Sequence, residues 1–229
     1  MRTSILIAGF FALAFINTSC KKSSSTATKQ TMPDVIYTSY SKMAPGNYWI
    51  YNLYKLDSNY QVTSVQTGTD SIYVDKDTVI RGNTFHKYWQ PKTLGGTDYF
   101  FTYLRDSLQY IVDDKSNIYF AAQDFKNVFD TIYQTDPNHN ISMVDTPAVI
   151  QVRMTGKDST ETTPAGKFVT STLEWDYDLN QYFWKFGPSI RRCSTRYSAG
   201  VGMVSQVPPA TYSYYATYSQ RKLLRYHVQ

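Results

Sequence analysis

From residue 47 onward, apolar and polar side chains alternate along the chain. Trp49, Tyr51 and Leu53 share one parity, and Tyr48, Ile50 and Asn52 share the other. Further on, Leu173, Trp175, Tyr177 and Leu179 fall on one side, and Thr172, Glu174, Asp176 and Asp178 on the reverse. A period of two places successive side chains on opposite faces of a strand. Turn-forming clusters interrupt the runs at Asp57-Ser58-Asn59, Arg81-Gly82-Asn83, Gly95-Gly96, Asp113-Asp114-Lys115-Ser116-Asn117 and Leu179-Asn180-Gln181. Strands joined by so few residues pair as antiparallel hairpins, because parallel neighbours need a long crossover. The pattern predicts strands over residues 47–56, 60–66, 70–76, 84–90, 98–105, 108–113, 117–122, 148–156, 166–178, 182–186, 191–197, 201–206 and 212–227. Short strands at this spacing predict a mainly β domain: a curved antiparallel sheet, half-barrel or barrel, with at most one or two short helices.

Residues 124–133 read two ways. Phe125, Val128, Phe129, Ile132 and Tyr133 recur at helical spacing, which suits a helix lying on the sheet. The same residues are β-branched and aromatic enough for a strand. Residues 135–147, rich in Asp, Asn and Pro, read as a loop.

Composition strengthens the β reading. The chain has 21 Tyr, 12 Phe and 4 Trp, and glutamate only at Glu161 and Glu174. Aromatic side chains suit a pleated, half-buried surface. So many rings also allow some to line a cavity or to stand on an exposed face where they could stack on sugars.

The N-terminal residues follow another rule. Arg2 precedes an apolar run over residues 5–16. That run is shorter than the roughly 20 residues needed to span a bilayer and matches the apolar region of a signal peptide. Thr18 and Ser19 precede Cys20, and residues 21–30 hold no apolar residue larger than alanine. The expected organisation is a signal peptide over residues 1–19, a flexible lipidated tether over 20–44 and a single antiparallel β domain over 45–229. An ordinary secreted protein cut near Ser19 is the alternative.

Cys20 and its flanks resemble the lipobox of bacterial lipoproteins, whose cysteine thiol receives a diacylglyceryl group. Asn17 stands where the usual lipobox has leucine, a departure that the looser lipoboxes of Bacteroidetes lipoproteins tolerate. The resemblance implies lipidation at Cys20 by palmitate-like chains and a permanent membrane anchor, at about 0.8 kcal/mol per buried methylene. Lys21 is not the aspartate of inner-membrane retention, and no acidic cluster follows the cysteine. The resemblance therefore favours the periplasmic face of the outer membrane.

Three segments extend the resemblance to uncharacterised Bacteroidetes lipoproteins. They are Gly46-Asn47-Tyr48-Trp49-Ile50-Tyr51, Thr162-Thr163-Pro164-Ala165-Gly166-Lys167-Phe168-Val169-Thr170 and Tyr197-Ser198-Ala199-Gly200-Val201-Gly202-Met203-Val204, followed by a last strand at residues 221–226. Such chains are similar in layout to half-barrel lipoprotein carriers, an antiparallel sheet around an apolar hollow. The resemblance carries no catalytic residue.

The rest of the chain narrows the function by chemistry. A net charge of +5, spread along the chain, does not point to nucleic acid. Besides Cys20 the only cysteine is Cys193, which reads as a small buried filler; Arg191, Arg192 and Arg196 nearby are the one feature that would make it reactive. His86, His139 and His227 lack ligand-spaced partners, so no metal is expected. Asp136, Asn138 and Asn140 begin a calcium-loop pattern, but Ile141 and Pro147 occupy its glycine and acid positions. Glu174, Asp176 and Asp178 share a strand face; they could include an acid–base pair, and a solvated face explains them equally well. No nucleophile elbow, phosphate loop or Cys-x-x-Cys is present. Ser71, Thr78, Ser107, Thr131 and Ser159 each follow an aspartate in a pattern resembling the O-glycosylation sequon of periplasmic Bacteroidetes proteins. The same dipeptides also favour turns.

These readings converge on a non-enzymatic, lipid-anchored envelope protein without a cofactor. Its expected partners are the membrane, through the N-terminal lipid, and a hydrophobic or amphipathic ligand or another envelope protein. The alternative is a structural or adaptor component of an outer-membrane assembly, or a glycan-binding module. Replacing Cys20 with serine removes the thiol that would carry the acyl chains. Cys20→Ser is therefore expected to move the protein from the membrane fraction to the soluble one on ultracentrifugation of host lysates; wild-type processing with unchanged pelleting would refute lipidation at this position.

Overall fold

The computed structural model describes residues 37–134, 148–180, 190–208 and 218–229. Twelve strands are formed: β1 (Tyr48–Leu56), β2 (Val62–Ile80), β3 (Asn83–Pro91), β4 (Tyr99–Ser107), β5 (Tyr110–Asp113), β6 (Ile118–Ala121), β7 (Val128–Gln134), β8 (Ala148–Thr163), β9 (Gly166–Leu179), β10 (Ile190–Ser198), β11 (Gly202–Val207) and β12 (Tyr218–His227). All pairings are antiparallel, in one sheet of order β6-β5-β4-β3-β2-β1-β12-β11-β10-β9-β8-β7. No helix occurs among the described residues.

The order has a simple logic. Strands β1–β6 form one up-and-down meander and β7–β12 another, and β1 pairs with β12 to join them. Consecutive strands β6 and β7 thus lie at opposite edges. Laid flat, twelve strands at about 4.8 Å spacing would measure roughly 53 Å across. Residues 122–127 link those edges, and the seven Cα steps from Ala121 to Val128 reach at most about 25 Å. The sheet must curl until its edges approach, although β6 and β7 do not pair and the barrel stays open.

Irregularities in the ladder assist the curl. Asn52 opposes Thr69 while Tyr54 opposes Val65, which leaves extra residues around Gly68. Gly68 has φ +98°, in the left-handed region glycine tolerates. The two strands expected at residues 60–66 and 70–76 are therefore one bent strand, β2. A second shift, between Thr155 and Ser159 of β8, contains Gly156 at φ +55°. Such bulges bend a strand and increase its local twist.

The strand reading of residues 124–133 is correct over β7. Val128, Ile132 and Tyr133, which would share a helix face, are 42%, 43% and 65% exposed. They have no common buried face for a helix to use, and the backbone pairs with β8 from Val128↔Arg153 to Gln134↔Ala148. The strand expected at residues 182–186 lies outside the described residues, as do the loop at residues 135–147 and the start of the last predicted strand. The folded body takes in more of the chain than residues 45–229. Ser41 is buried, Tyr40 and Met43 pack on the core, and Gly200 N–H donates to the Ser39 carbonyl at 3.0 Å.

The parity expected for β1 holds. Trp49, Tyr51 and Leu53 are at most 1% exposed and face inward with Ile72, Val74, Tyr88, Leu173 and Leu223. The start segment and the Gly-Val-Gly segment meet through hydrogen bonds as well as packing. Trp49 Nε1–H donates to the Val201 carbonyl at 2.6 Å, and Tyr51 O–H donates to the Met203 carbonyl at 3.0 Å. The third segment is tied to the last strand, beside β1, since Ala165 N–H donates to the Leu223 carbonyl at 3.0 Å and Leu223 pairs with Tyr51. Gly202 has φ +100°, and a Cβ there would stand 3.1 Å from the Trp49 indole. Gly202→Ala should therefore be destabilising, with Trp49→Ala costing roughly 3–5 kcal/mol as buried aromatic truncations do. Urea melts of both variants would check this, and a neutral Trp49→Ala would mean that the sheet faces are assigned the wrong way round.

Candidate functional site

The inner face of the curled sheet is not filled along its whole length. Toward one end the core ends in a polar cluster. Arg221 and Asp70 are 3% and 1% exposed by side chain, with Nη1 3.6 Å from Oδ2. Arg221 also donates to the side-chain oxygens of Gln206 and, at 3.4 Å, Gln90, and its guanidinium lies 5.3 Å from the Tyr51 ring centroid. Gly95 N–H donates to Asp70 Oδ1 at 2.7 Å, tying the β3–β4 hairpin to this floor. Burial raises the Asp70 pKa from its ordinary value, outweighing the Gly95 hydrogen bond and Arg221. Desolvation likewise raises the phenols beneath, with Tyr88 at about 12. Tyr51 and Tyr197 are raised further, also chiefly by burial. These hydroxyls are neutral at any physiological pH.

Above that floor is a hollow of about 500 Å³. Pro91, Leu94, Phe100, Tyr119, Trp175 and Pro208 give it apolar walls, and Gln90, Gln206 and Arg221 its polar base. A second hollow, of about 390 Å³, lies between the sheet edges, against Ile118 and Tyr119 of β6 and Asp130 and Ile132 of β7. Tyr119 and Trp175 line both. The volumes are of the order that small-molecule sites use, roughly 300–1,000 Å³. The expected apolar hollow is thus present as a space, but with a charged floor that sequence reading missed. Arg221 is legible only as one cation among several in the last strand.

The convex face carries a second arrangement. Phe101, Trp89, Tyr73, Tyr48 and His227 are successive register partners across β4, β3, β2, β1 and β12. Tyr73 and Trp89 stack at 6.3 Å between centroids, and Tyr48 and His227 at 5.8 Å. Lys87 Nζ lies 4.5 Å from the centroids of both Trp89 and Phe101. Phe101, Tyr48 and Tyr73 are 44%, 40% and 39% exposed.

The other residues singled out in the sequence are scattered. Cys20 lies outside the described residues, as do His139 and the Asp136, Asn138 and Asn140 pattern. His86 Nδ1 is 2.7 Å from Asp77 Oδ1. Cys193 is buried in the core. Among the sequon residues, the Ser71 hydroxyl is 2.7 Å from the Tyr99 hydroxyl, and Ser159 donates to the Gly156 carbonyl at 2.7 Å. Thr78 and Ser107 are half-buried, and Thr131 is exposed on β7.

The reverse face of β9 differs from the solvated face expected. Arg153 of β8 bridges Glu174, at 3.1 Å, and Asp176, while Arg192 Nε of β10 lies 3.3 Å from Asp176 Oδ1. Cross-strand register makes this ladder, with Arg153 opposite Glu174 and Arg192 opposite Asp176. The Asp176 side chain is only 13% exposed.

No family model matches this chain, and no curated protein matches it. Two solved structures are similar to it. One is a candidate lipoprotein from Parabacteroides distasonis ATCC 8503, with 14% identity over 84% of this chain and 100% of that one, at a TM-score of 0.44. The other is a candidate exported protein with a YmcC-like fold from Bacteroides fragilis NCTC 9343, with 12% identity over 83% and 99%, also at 0.44.

Charge pairing on β9 makes a measurable contrast. Asp176→Ala strips both Arg153 and Arg192 of a partner in a mostly buried position and should cost about 1–2 kcal/mol. Asp178→Ala, at an exposed position of the same strand, should stay within about 0.5 kcal/mol. Equal urea midpoints for the two variants would refute a stabilising role for the ladder.

Proposed function

We propose that this is a non-enzymatic, lipid-anchored protein of the cell envelope whose curved sheet holds a hydrophobic or amphipathic ligand. The observation that carries the reading is the hollow walled by Phe100, Tyr119 and Trp175. Rings that a β-protein would normally bury against one another line a space instead. Burial of apolar ligand surface there would be worth about 25 cal/mol per Å² before the costs of association. The anchor is Cys20, and the periplasmic face of the outer membrane is the location its flanks favour. A tethered protein with an apolar-walled hollow suits short-range holding of an apolar molecule in an aqueous compartment.

A second reading rests on the row from Phe101 to His227. Neighbouring strands lie about 4.8 Å apart, so the row presents ring faces at a spacing near that of successive sugars in a chain. In this reading the protein is a glycan-binding or adaptor component of an envelope assembly. Native mass spectrometry of the protein isolated from its own host separates the two. A reproducible bound lipid is expected. A clean apo mass, together with cosedimentation with envelope polysaccharide that Trp89→Ala abolishes, would favour the second reading and refute the first.

A further inference from the structure

Buried arginines in β-sandwich and barrel interiors are usually closed off by carboxylates. Arg221 is not. Its nearest carboxylate, Asp70, stands at 3.6 Å from Nη1, and Asp70 Oδ2 has no hydrogen-bond donor among the described residues. Arg221 Nε likewise finds no acceptor among them. Among the described residues, its hydrogen bonds go to the neutral amide oxygens of Gln206 and Gln90. The guanidinium is 97% buried from bulk solvent, yet it forms part of the wall of the hollow.

The lining is lopsided in charge. Among the described residues, Arg221 and Lys92 are on it and no aspartate or glutamate is. Asp70 sits behind the floor and Asp98 beside the Lys92 ammonium, at 4.0 Å and 81% exposed. Opposite this donor-rich end stand Phe100, Tyr119 and Trp175, and through the last two the space continues toward the β6–β7 gap. A purely apolar guest would leave Arg221 facing hydrocarbon, which is costly for a desolvated cation. A guest with an anion at one end would supply the missing acceptor, and a charge-assisted bond in a dry site is among the stronger ones available.

We propose that the hollow is a site for a single-chain amphiphile with an anionic head, a carboxylate or a phosphate ester, seated with the head on Arg221 and near Lys92 and the chain against Phe100, Tyr119 and Trp175. This rests on the ligand-binding reading above and specifies its chemistry. Neither Glu161, engaged by Arg196 and Lys222, nor the Glu174–Asp176 ladder reaches this lining, so among the described residues the only carboxylates near its two cations are Asp70 behind Arg221 and the exposed Asp98 beside Lys92.

The test compares heads on one chain length. The protein is titrated calorimetrically with decanoate, decyl phosphate and decan-1-ol. Decanoate or decyl phosphate, or both, should bind at least about tenfold more tightly than decanol; which of the two does so identifies the head. Arg221→Gln combined with Asp70→Asn removes both buried charges together and should abolish that preference. Lys92→Ala, at an exposed position, should lower affinity for the anions alone and does not depend on the double variant folding. Equal affinity of all three ligands for the unmodified protein would overturn the anionic head and leave the hydrophobic site standing. Absence of any binding would overturn both. A preference for anions that survives in a folded double variant and in Lys92→Ala would place the head elsewhere and refute the assignment.

Discussion

The pairing of β1 with β12 is the constraint on which the rest of the sheet depends. Each six-strand meander is held together by local hairpins, but neither closes on anything by itself. Joining them requires Tyr48–Leu56 to find Tyr218–His227 across most of the chain. Two hydrogen bonds from inner-face rings, Trp49 to Val201 and Tyr51 to Met203, reach past β12 and tie β1 to the β10–β11 hairpin. A one-residue slip would turn Trp49 and Tyr51 outward and lose both the bonds and the burial. It follows that this domain has a high proportion of non-local contacts, and slow folding is the usual consequence of paying loop entropy before such contacts form.

The same seam explains why a hollow exists. Inside a curled sheet, opposite walls must supply enough volume to fill the space between them. At the Trp49 end they do, with Tyr88, Ile72, Leu223 and Phe120 meeting in the middle. At the other end the inward positions of β2, β3 and β12 include Asp70, Gln90 and Arg221, which cannot be packed against hydrocarbon without partners. Polar side chains, bonded to one another only in part, therefore cap the core, and the space beyond them is left to Phe100, Tyr119 and Trp175. The charged floor and the open volume are two sides of one fact.

Much of this architecture is legible in alternation alone. Parity named the buried faces of β1 and β9, and turn chemistry found most hairpins, because both are local properties of the chain. What escaped is what depends on neighbours. The helical spacing in residues 124–133 is real, but pairing with β8 decides the conformation. The bend at Gly68 looked like a break between two strands because a bulge and a turn use the same residue type. Asp176 looked solvated because its cations, Arg153 and Arg192, come from other strands and only register brings them together. Arg221 was illegible for the same reason: nothing within five residues reveals that its side chain points inward beside Asp70.

Open sheets carry a further liability, since unpaired edges invite association with other strands. Here the two edges are β6, only four residues long, and β7, which bends away from β8 at the Val128–Asp130 irregularity. The short link between them sets the edges facing each other rather than outward. Rings and aliphatic groups from both, Tyr119, Ile118 and Ile132, line the smaller hollow between them. The gap is therefore a protected edge and a side opening of the interior at once. Closing it with full backbone pairing would remove the liability, but it would also seal the space beside Trp175. An incompletely closed sheet is the arrangement expected if that space has to admit something.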